Sequence, residues 1–189
     1  MIMELLTKRL RLRSLEKKDY TAVHSYSSDP ENVKYMTFGP NSPKDTRRFI
    51  KGSIEESKDI PRTKYDFVIE KLDTWKVIGA CSIYIRDDVH AEIGWILNKN
   101  YWNMNYTTEA ARALIHFGFS VLKLHRIFAR CNSENIGSWR VMEKCAMQKE
   151  ACFRQVRKLR SEQHDPNSRW YDEYQYSILA EEYTGTNER

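Results

Sequence analysis

The alternation of apolar and polar positions is clearest between residues 91 and 145, where it predicts strand, helix, strand and helix in that order. Residues 91–97 alternate as in a strand with one buried face. Apolar residues then recur at helical spacing through 106–122, which indicates an amphipathic helix. Residues 125–131 have the pattern of a second strand, and the polar residues 132–135 begin another helix.

A turn-rich connection at 98–105 joins the first of these strands to the long helix. Such a turn is a natural anion site, because the first backbone N–H groups of a helix have no partner within it. A carboxylate, Glu92, lies on the strand just before the turn. An anion-binding turn beside a candidate base suggests group transfer from a phosphorylated cofactor.

Weaker patterns predict the remaining elements. Ser42 has the position of a helix cap, followed by Pro43 at the first helical position and Asp45 at the third. The other predicted elements are strands at 8–14, 65–71, 75–86, 152–157 and 170–179, helices at 16–27 and 43–58, and a loop at 161–169.

Length and composition fit a soluble enzyme. The chain has 189 residues, which favours one domain over 1–189, and its four cysteines lack metal-ligand spacing. Mean hydropathy is −0.70, with neither a long apolar run nor a secretory signal, so no membrane span is expected. We therefore predict a cytoplasmic protein that binds no metal.

The net charge of +5 is moderate, whereas a nucleic-acid-binding protein is expected to concentrate basic charge more strongly. One basic group alternates with leucines and is predicted to be the solvated face of a strand. A second is either a solvated face or a site for an acidic partner or cofactor phosphates. The first group is Lys8, Arg9, Arg11 and Arg13, and the second is Arg154, Arg157, Lys158 and Arg160.

Six segments together share the order and spacing of the motifs of one enzyme superfamily. They are Leu6 to Arg13, Ala91-Glu92-Ile93-Gly94-Trp95-Ile96-Leu97, Tyr101 to Ala110, His125-Arg126-Ile127, Asn132 to Lys144, and Trp170-Tyr171-Asp172-Glu173-Tyr174. In these segments the chain resembles the GNAT superfamily of acetyl-CoA-dependent N-acetyltransferases, and within it the branch that acetylates the N-termini of ribosomal proteins. The likeness extends from about residue 5 to residue 179.

The resemblance implies a mixed α/β (α+β) fold, with a twisted, mostly antiparallel sheet and helices on both faces. The strands at 91–97 and 125–131 would be parallel and joined by a right-handed crossover through the helix at 106–122. They would splay apart, with the thioester of the cosubstrate acetyl-CoA lying between them. The amine would attack this thioester directly, without an acyl-enzyme intermediate.

The resemblance also implies where coenzyme A binds. The family has glycine or alanine where this chain has Asn103, Asn105 and Thr107, because the backbone approaches the pyrophosphate there. Asparagine tolerates a left-handed backbone better than most residues. The alternative is an ordinary helix cap by Asn105 or Thr107, with Asn132 and Asn135 capping the last helix. The predicted cofactor-binding residues are Trp95, Ile96, Leu97, Trp102, Asn103, Met104, Asn105, Tyr106, Thr107, Thr108, Asn132 and Asn135.

Glu92 is predicted to be the general base. An amine is mostly protonated at neutral pH, and a carboxylate on an apolar sheet face can have a raised pKa that suits it to accept the proton. A solvated strand glutamate is the alternative. The resemblance further implies that Ser138 protonates the departing thiolate, and that Tyr35, Phe38 and Trp170 line the acceptor cleft.

The sequence therefore predicts acetyl transfer from acetyl-CoA to a primary amine, with the N-terminal α-amine of a ribosomal or other protein as the first candidate acceptor. Within the same class, the alternative acceptor is a small amine such as a polyamine, an antibiotic or an amino acid. A non-catalytic acyl-CoA-binding module is the alternative in a different class, because the turn departs from the family pattern. The protein would act as a monomer or a homodimer.

Overall fold

The computed structural model describes residues 3–158 and 169–185, which form eight strands and four helices. The strands are β1 (Glu4–Leu6), β2 (Leu10–Ser14), β3 (Lys64–Lys71), β4 (Val77–Ile85), β5 (His90–Leu97), β6 (Arg126–Asn132), β7 (Gln148–Arg157) and β8 (Tyr171–Leu179). The helices are α1 (Tyr20–Ser27), α2 (Pro43–Glu56), α3 (Tyr106–Ser120) and α4 (Ile136–Lys144). The loop predicted at 161–169, except for Arg169, lies outside the described residues, as does Arg160.

All eight strands belong to one sheet, in the order β1-β2-β3-β4-β5-β6-β8-β7. Neighbouring strands are antiparallel except β5 and β6, which are parallel. Parallel neighbours need a crossover connection, and α3 lies in the one that joins β5 to β6. The predicted mixed fold with one parallel pair is therefore confirmed.

Helices pack on both faces of the sheet. On one face α3 contributes Leu114 to a large apolar core, and on the other α1 and α2 contribute Val23 and Ile50 to a smaller one. Strand β5 supports both cores because successive side chains point to opposite faces, with Ile93 in the first and Ile96 packed against the second. Within the described ranges, no helix has the length and apolar character needed to cross a bilayer.

The first basic group forms a solvated face only in part, because Lys8 is exposed whereas Arg13 is buried. Arg13 is 4% exposed, and its guanidinium makes two hydrogen bonds of 2.8 Å to Asp19 and bonds of 3.0 and 3.2 Å to Glu70. The alternation pattern predicted the exposure of Arg13 wrongly, because the guanidinium and the two buried carboxylates neutralise one another's charge and form hydrogen bonds inside the fold. The Asp19 carboxylate also accepts the Glu16 N–H at 2.8 Å, so residues before Tyr20 form a 3₁₀ turn and α1 begins later than predicted.

Two other boundaries show where local pattern is sufficient and where it is not. Helix α2 begins as predicted, because Ser42 Oγ accepts the Asp45 N–H at 3.2 Å while the Asp45 carboxylate accepts the Ser42 N–H. Strand β7 begins at Gln148 rather than at residue 152. It is the edge strand of the sheet and its residues are mostly exposed, so no alternation marks its start.

Candidate active site

Strands β5 and β6 pair over a short stretch and then separate. Their register runs from His90 paired with Arg126 to Glu92 paired with Phe128. Beyond these pairs β5 continues to residue 97 and β6 to residue 132 without pairing to each other. The predicted splay is confirmed, and it opens a cleft that is also lined by residues 31, 32 and 34–37 and by the first turns of α3 and α4.

The backbone of β5 presents N–H groups to this cleft. The Asn98 N–H donates to a carbonyl of β4 at 2.8 Å, and in an antiparallel pair every second residue points its backbone groups to the same neighbour. Ile96 therefore also faces β4, whereas Trp95 and Leu97 face the gap. In agreement, the Leu97 carbonyl accepts the Trp102 indole N–H at 2.8 Å from the cleft side. Ile96 lines the cleft through its side chain.

The turn before α3 has the left-handed backbone that asparagine was expected to tolerate. The φ angles are +62° at Asn103 and +60° at Asn105. Asn105 occupies the N-cap position of α3 but makes no side-chain capping hydrogen bond, and Thr107 lies inside the helix. An ordinary side-chain cap by either residue is therefore wrong. Because first-turn N–H groups have no intrahelical partner, those of Tyr106, Thr107 and Thr108 can bind an anion.

Two cations at the end of α4 accompany this helix N-terminus. Lys144 donates to the Asn105 side-chain oxygen at 2.7 Å, and Arg140, one helical turn earlier, lines the cleft with it. Positive charge beside unpaired N–H groups suits a pyrophosphate. The sequence analysis missed both residues, because spacing along a helix does not identify which neighbouring turn its charged face meets.

Asn132 and Asn135 hold the turn that precedes α4. The Asn135 side-chain oxygen accepts the Ser138 N–H at 3.2 Å, and that of Asn132 accepts the Glu134 N–H at 2.8 Å. The capping alternative is thus confirmed for Asn135, whereas the Asn132 oxygen holds a turn that precedes the helix. Each side chain keeps amide N–H groups as donors. Asn132 is 2% exposed, and its Nδ2 has no partner among the described residues.

Ser138 lies in the wall of the cleft on the first turn of α4. Its face of the helix is shared with Val141 and Met142, which are buried as predicted. Its hydroxyl forms a hydrogen bond with the Cys131 thiol on β6. Burial raises the pKa of this thiol to about 11, and the hydrogen bond to Ser138 offsets only part of the increase. The Ser138 hydroxyl is therefore held at the cleft by a group that stays neutral at physiological pH.

Glu92 lines the cleft where β5 and β6 separate, but its surroundings are not apolar. Its carboxylate forms an ion pair with Arg86, whose Nε lies 3.1 Å from Glu92 Oε2. Its cross-strand neighbour is Tyr84, whose hydroxyl donates to Asp66 at 3.0 Å. The expected apolar setting is therefore wrong. Arg86 contacts Oε2 of the carboxylate, and Oε1, which has no hydrogen bond or ion pair within the described residues, is the oxygen that can accept a proton.

The residues predicted to contact the acceptor divide into two groups. Tyr35 lines the cleft, whereas Phe38 and Trp170 are not among the described residues that line it. Met104, predicted to bind the cofactor, is 50% exposed and is likewise absent from that lining. The side chains of Phe38, Trp170 and Met104 therefore lie outside the wall of the cleft.

Three arginines line the acceptor side of the cleft, namely Arg86, Arg130 and Arg157, and sequence reasoning considered only Arg157 among them, as a member of the second basic group. Arg157 forms an ion pair with Glu173, whose carboxyl pKa is raised by burial, with Arg157 and then Arg130 opposing. Arg157 was singled out as part of the second basic group, whose Arg154 is exposed. The sequence could have indicated Arg130, because it lies two residues after Phe128 on the strand that was predicted to splay.

Comparison with known proteins agrees with the fold. Residues 9–148 match the family model described as "Acetyltransferase (GNAT) domain". "Uncharacterized N-acetyltransferase YnaD" of Bacillus subtilis (strain 168) is 37% identical over 182 residues, covering 96% of this chain and 99% of that protein. "Uncharacterized N-acetyltransferase p20" of Bacillus licheniformis is 33% identical over 184 residues, covering 96% and 98%.

Solved structures share the architecture. An acetyltransferase of the GNAT family from Bacillus anthracis has a TM-score of 0.81 and 35% identity, covering 95% of this chain and 100% of that one. Two more distant structures are similar in fold alone. They are RimL, the ribosomal L7/L12 alpha-N-protein acetyltransferase (TM-score 0.79, 17% identity, covering 95% of each chain), and spermidine N-acetyltransferase from Vibrio cholerae (TM-score 0.76, 19% identity, covering 92% and 96%).

Proposed function

The chain belongs to the GNAT family of acetyltransferases and is an acyl-CoA-dependent N-acetyltransferase, and from this premise we propose that it acetylates an N-terminal α-amine in the cleft between β5 and β6. One observation carries the proposal. Glu92 lies where these strands separate, in the same cleft that is lined by Trp95 and Leu97 of β5 and by the N-terminus of α3. Acetyl-CoA supplies the thioester whose carbonyl carbon the amine attacks.

The chain offers separate groups for the two ends of the cofactor. The N–H groups of Thr107 and Thr108, with Lys144 beside them, fit the negative charge of the pyrophosphate. The N–H groups of Trp95 and Leu97 fit the thioester carbonyl, where they would stabilise the negative oxygen that forms during attack. The side-chain amides of the two asparagines before α4 are the donors for the pantetheine arm between these ends.

Glu92 takes the proton that the amine loses. Attack forms a bond from the amine nitrogen to the carbonyl carbon, and the carbon–sulfur bond then breaks. The nitrogen proton passes to Glu92, either directly or through one water. Because Arg86 contacts the same carboxylate, its guanidinium also holds Glu92 in the orientation that faces the gap.

Ser138 is the proposed donor to the leaving group. Its hydroxyl gives its proton to the thiolate, so that the products are the amide and coenzyme A with a free thiol, and Ser138 regains a proton from solvent. The hydrogen bond to Cys131 keeps the Ser138 hydroxyl at the cleft wall, opposite the wall that carries Glu92.

The charges of the cleft favour an α-amine over a polyamine. Six cations line it, Lys34, Arg86, Arg130, Arg140, Lys144 and Arg157, against the three carboxylates Glu31, Glu92 and Glu134. A polycation would be repelled by this excess even after some cations bind cofactor phosphates. An α-amine also needs less from the base than a lysine-like amine, because about a tenth of it is already neutral near pH 7.

Two alternatives remain testable. A small amine is the first, since spermidine N-acetyltransferase shares this fold and an amino acid or antibiotic amine would fit an open cleft. A chain that binds acyl-CoA without turnover is the second. Release of free thiol from acetyl-CoA with any amine separates the second alternative from both acetyltransferase proposals.

We expect short peptides with a free N-terminus to be acetylated with kcat/KM at least about tenfold above that of spermidine, the ratio that corresponds to about 1.4 kcal/mol of transition-state binding. Thiol release, compared across peptides, spermidine and an aminoglycoside, measures the ratio. Peptides with an acetylated N-terminus are the control and should give no release above background. A preference for spermidine would contradict the ordering and support the small-amine alternative.

We also expect the asparagine turn to bind coenzyme A without impairment. Asn103→Gly and Asn105→Gly should keep or tighten binding, because glycine adopts a left-handed φ freely and leaves more room for the phosphates. Asn105→Ala is the matched variant, since it adds left-handed strain and removes the acceptor of Lys144. Calorimetry measures the Kd for coenzyme A. We expect the Kd of each glycine variant to be equal to or lower than that of the parent, and the Kd of Asn105→Ala to be higher. Failure of the parent to bind coenzyme A or acetyl-CoA would refute the cofactor site.

A further inference from the structure

Arg130 presents an unused hydrogen-bonding edge on the acceptor side of the cleft. It is exposed and lines the cleft from β6. Its Nε donates to the Gln175 side-chain oxygen at 2.8 Å. A guanidinium carries five N–H donors, so four remain on the two terminal nitrogens. No acceptor for these four is found in residues 3–158 and 169–185.

The guanidinium is held in place by neutral groups. It stacks against the rings of Phe128 and Phe153, with distances of 5.3 and 5.6 Å from its central carbon to the ring centroids. Together with the Gln175 contact, these rings fix the plane of the fork without neutralising its charge. A planar guanidinium held in this way is already arranged for a carboxylate, which accepts two parallel N–H bonds.

The neighbouring cations of this wall differ from Arg130 in being paired with carboxylates. Arg86 is paired with Glu92, and Arg157 with Glu173. Arg130 forms no ion pair in the part of the chain that the structure describes. The acceptor side of the cleft therefore has one fixed positive charge that no carboxylate of these residues contacts.

The distance from Arg130 to the proposed base, Glu92, is also one that a small substrate could span. Glu92 pairs with Phe128 across the parallel strands, and Arg130 follows Phe128 by two residues on the same face of β6. With neighbouring strands about 4.8 Å apart and a rise of about 3.3 Å per residue, paired strands would place the Cα atoms of Glu92 and Arg130 roughly 8 Å apart, and the splay increases this distance. An amine at Glu92 and an anionic group a few bonds away would span that distance.

We propose that Arg130 binds a carboxylate that the acceptor carries close to its α-amine, so that this protein selects acidic acceptors. The inference rests on the proposed α-amine acetylation and names its substrate class. The carboxylate has two sources, the side chain of an N-terminal aspartate or glutamate in a peptide, or the α-carboxylate of a free amino acid. Both present the same planar anion to the same fork.

Two pairs of acceptors distinguish these sources. The first pair is a C-terminally amidated peptide that begins with aspartate and its counterpart that begins with asparagine. The second is a free amino acid and its α-amide. For each acceptor, kcat/KM is measured by thiol release with the parent protein and with each variant. The ratio of parent to variant for one acceptor cancels differences in the basicity of its amine.

We expect Arg130→Gln to lower kcat/KM by about 10- to 100-fold for the carboxylate member of the preferred pair, mainly through KM, in keeping with the strength of charge-assisted hydrogen bonds. The neutral member should change by no more than about threefold. Arg130→Lys should recover part of the loss, because an ammonium keeps the charge without the fork. A residue with only a structural role would lower kcat/KM for both members equally.

Arg126→Gln is the matched control. Arg126 lies on the same strand face and stacks on the same Phe128 ring at 5.1 Å, but it is paired with Glu150 and does not line the cleft. Its replacement should leave both acceptor ratios unchanged. The inference is overturned if the parent enzyme acetylates neutral members as well as acidic ones, or if Arg130→Gln affects both alike. Absence of turnover with every amine would instead overturn the proposed function.

Discussion

Replacing Glu92 with glutamine is expected to lower kcat by about 10²–10⁴-fold, the usual range when a general base is lost. The amide has the same shape as the carboxylate but cannot take the proton that the attacking amine releases. Binding of acetyl-CoA should change little, because Glu92 is not among the proposed cofactor donors. Calorimetry measures that binding, and thiol release at saturating substrates measures kcat. The acidic limb of the pH–rate profile should shift or vanish with the carboxylate.

Glu150→Gln is the control for this substitution. Glu150 is a carboxylate of the same sheet that pairs with Arg126 much as Glu92 pairs with Arg86, but it does not line the cleft. Loss of a surface ion pair has only a small effect on stability, so the fold should stay intact. Because Glu150 is also outside the cleft, kcat should remain within about threefold of the parent value. Turnover at the parent rate in Glu92→Gln would mean that Glu92 is structural and that water accepts the proton.

The order of elements could be predicted from the sequence because most of them carry a local signal. The helix at 106–122 and the strand at 91–97 are strongly periodic, and the structure has them as Tyr106–Ser120 and His90–Leu97. The parallel pairing of β5 and β6 came from the family resemblance, since alternation alone does not specify a partner strand. Strand β7 began earlier than predicted because an exposed edge strand has no buried face to mark.

The candidate site was predictable where backbone conformation decides it and less so where side chains from distant segments meet. The left-handed turn at Asn103 and Asn105 followed from residue type. The ion pair of Arg86 with Glu92 did not, because it depends on the register of β4 against β5. Arg130 was also missed, since its neutral partners on β7 and β8 are far away in the chain.

The same limit applies to charge in the core, where alternation assigned Arg13 to solvent. We expect Arg13→Met to lower the free energy of unfolding by about 3–5 kcal/mol, the usual loss when one partner of a buried ion pair is removed. The Asp19 carboxylate, which is 4% exposed, would be left without its cation, and the Glu70 carboxylate, which is 6% exposed, would keep only its contact with Arg11 at 3.3 Å. Their hydrogen bonds to Arg13, those of Asp19 first, raise the pKa of the guanidinium above its ordinary value. Urea unfolding measures the loss.

A triple variant separates uncompensated charge from lost packing. Adding Asp19→Asn and Glu70→Gln to Arg13→Met removes both carboxylates that Arg13 contacts while keeping their size, and the Asp19→Asn amide would retain an oxygen for the Glu16 N–H. We expect it to recover most of the lost stability, because the cost of a broken buried pair is mainly that of the charge left behind. Lys51→Met, which breaks an exposed pair with Glu55, should change stability little. If the triple variant is no more stable than Arg13→Met, packing of the arginine stem, rather than its charge, holds β2, β3 and the start of α1 together.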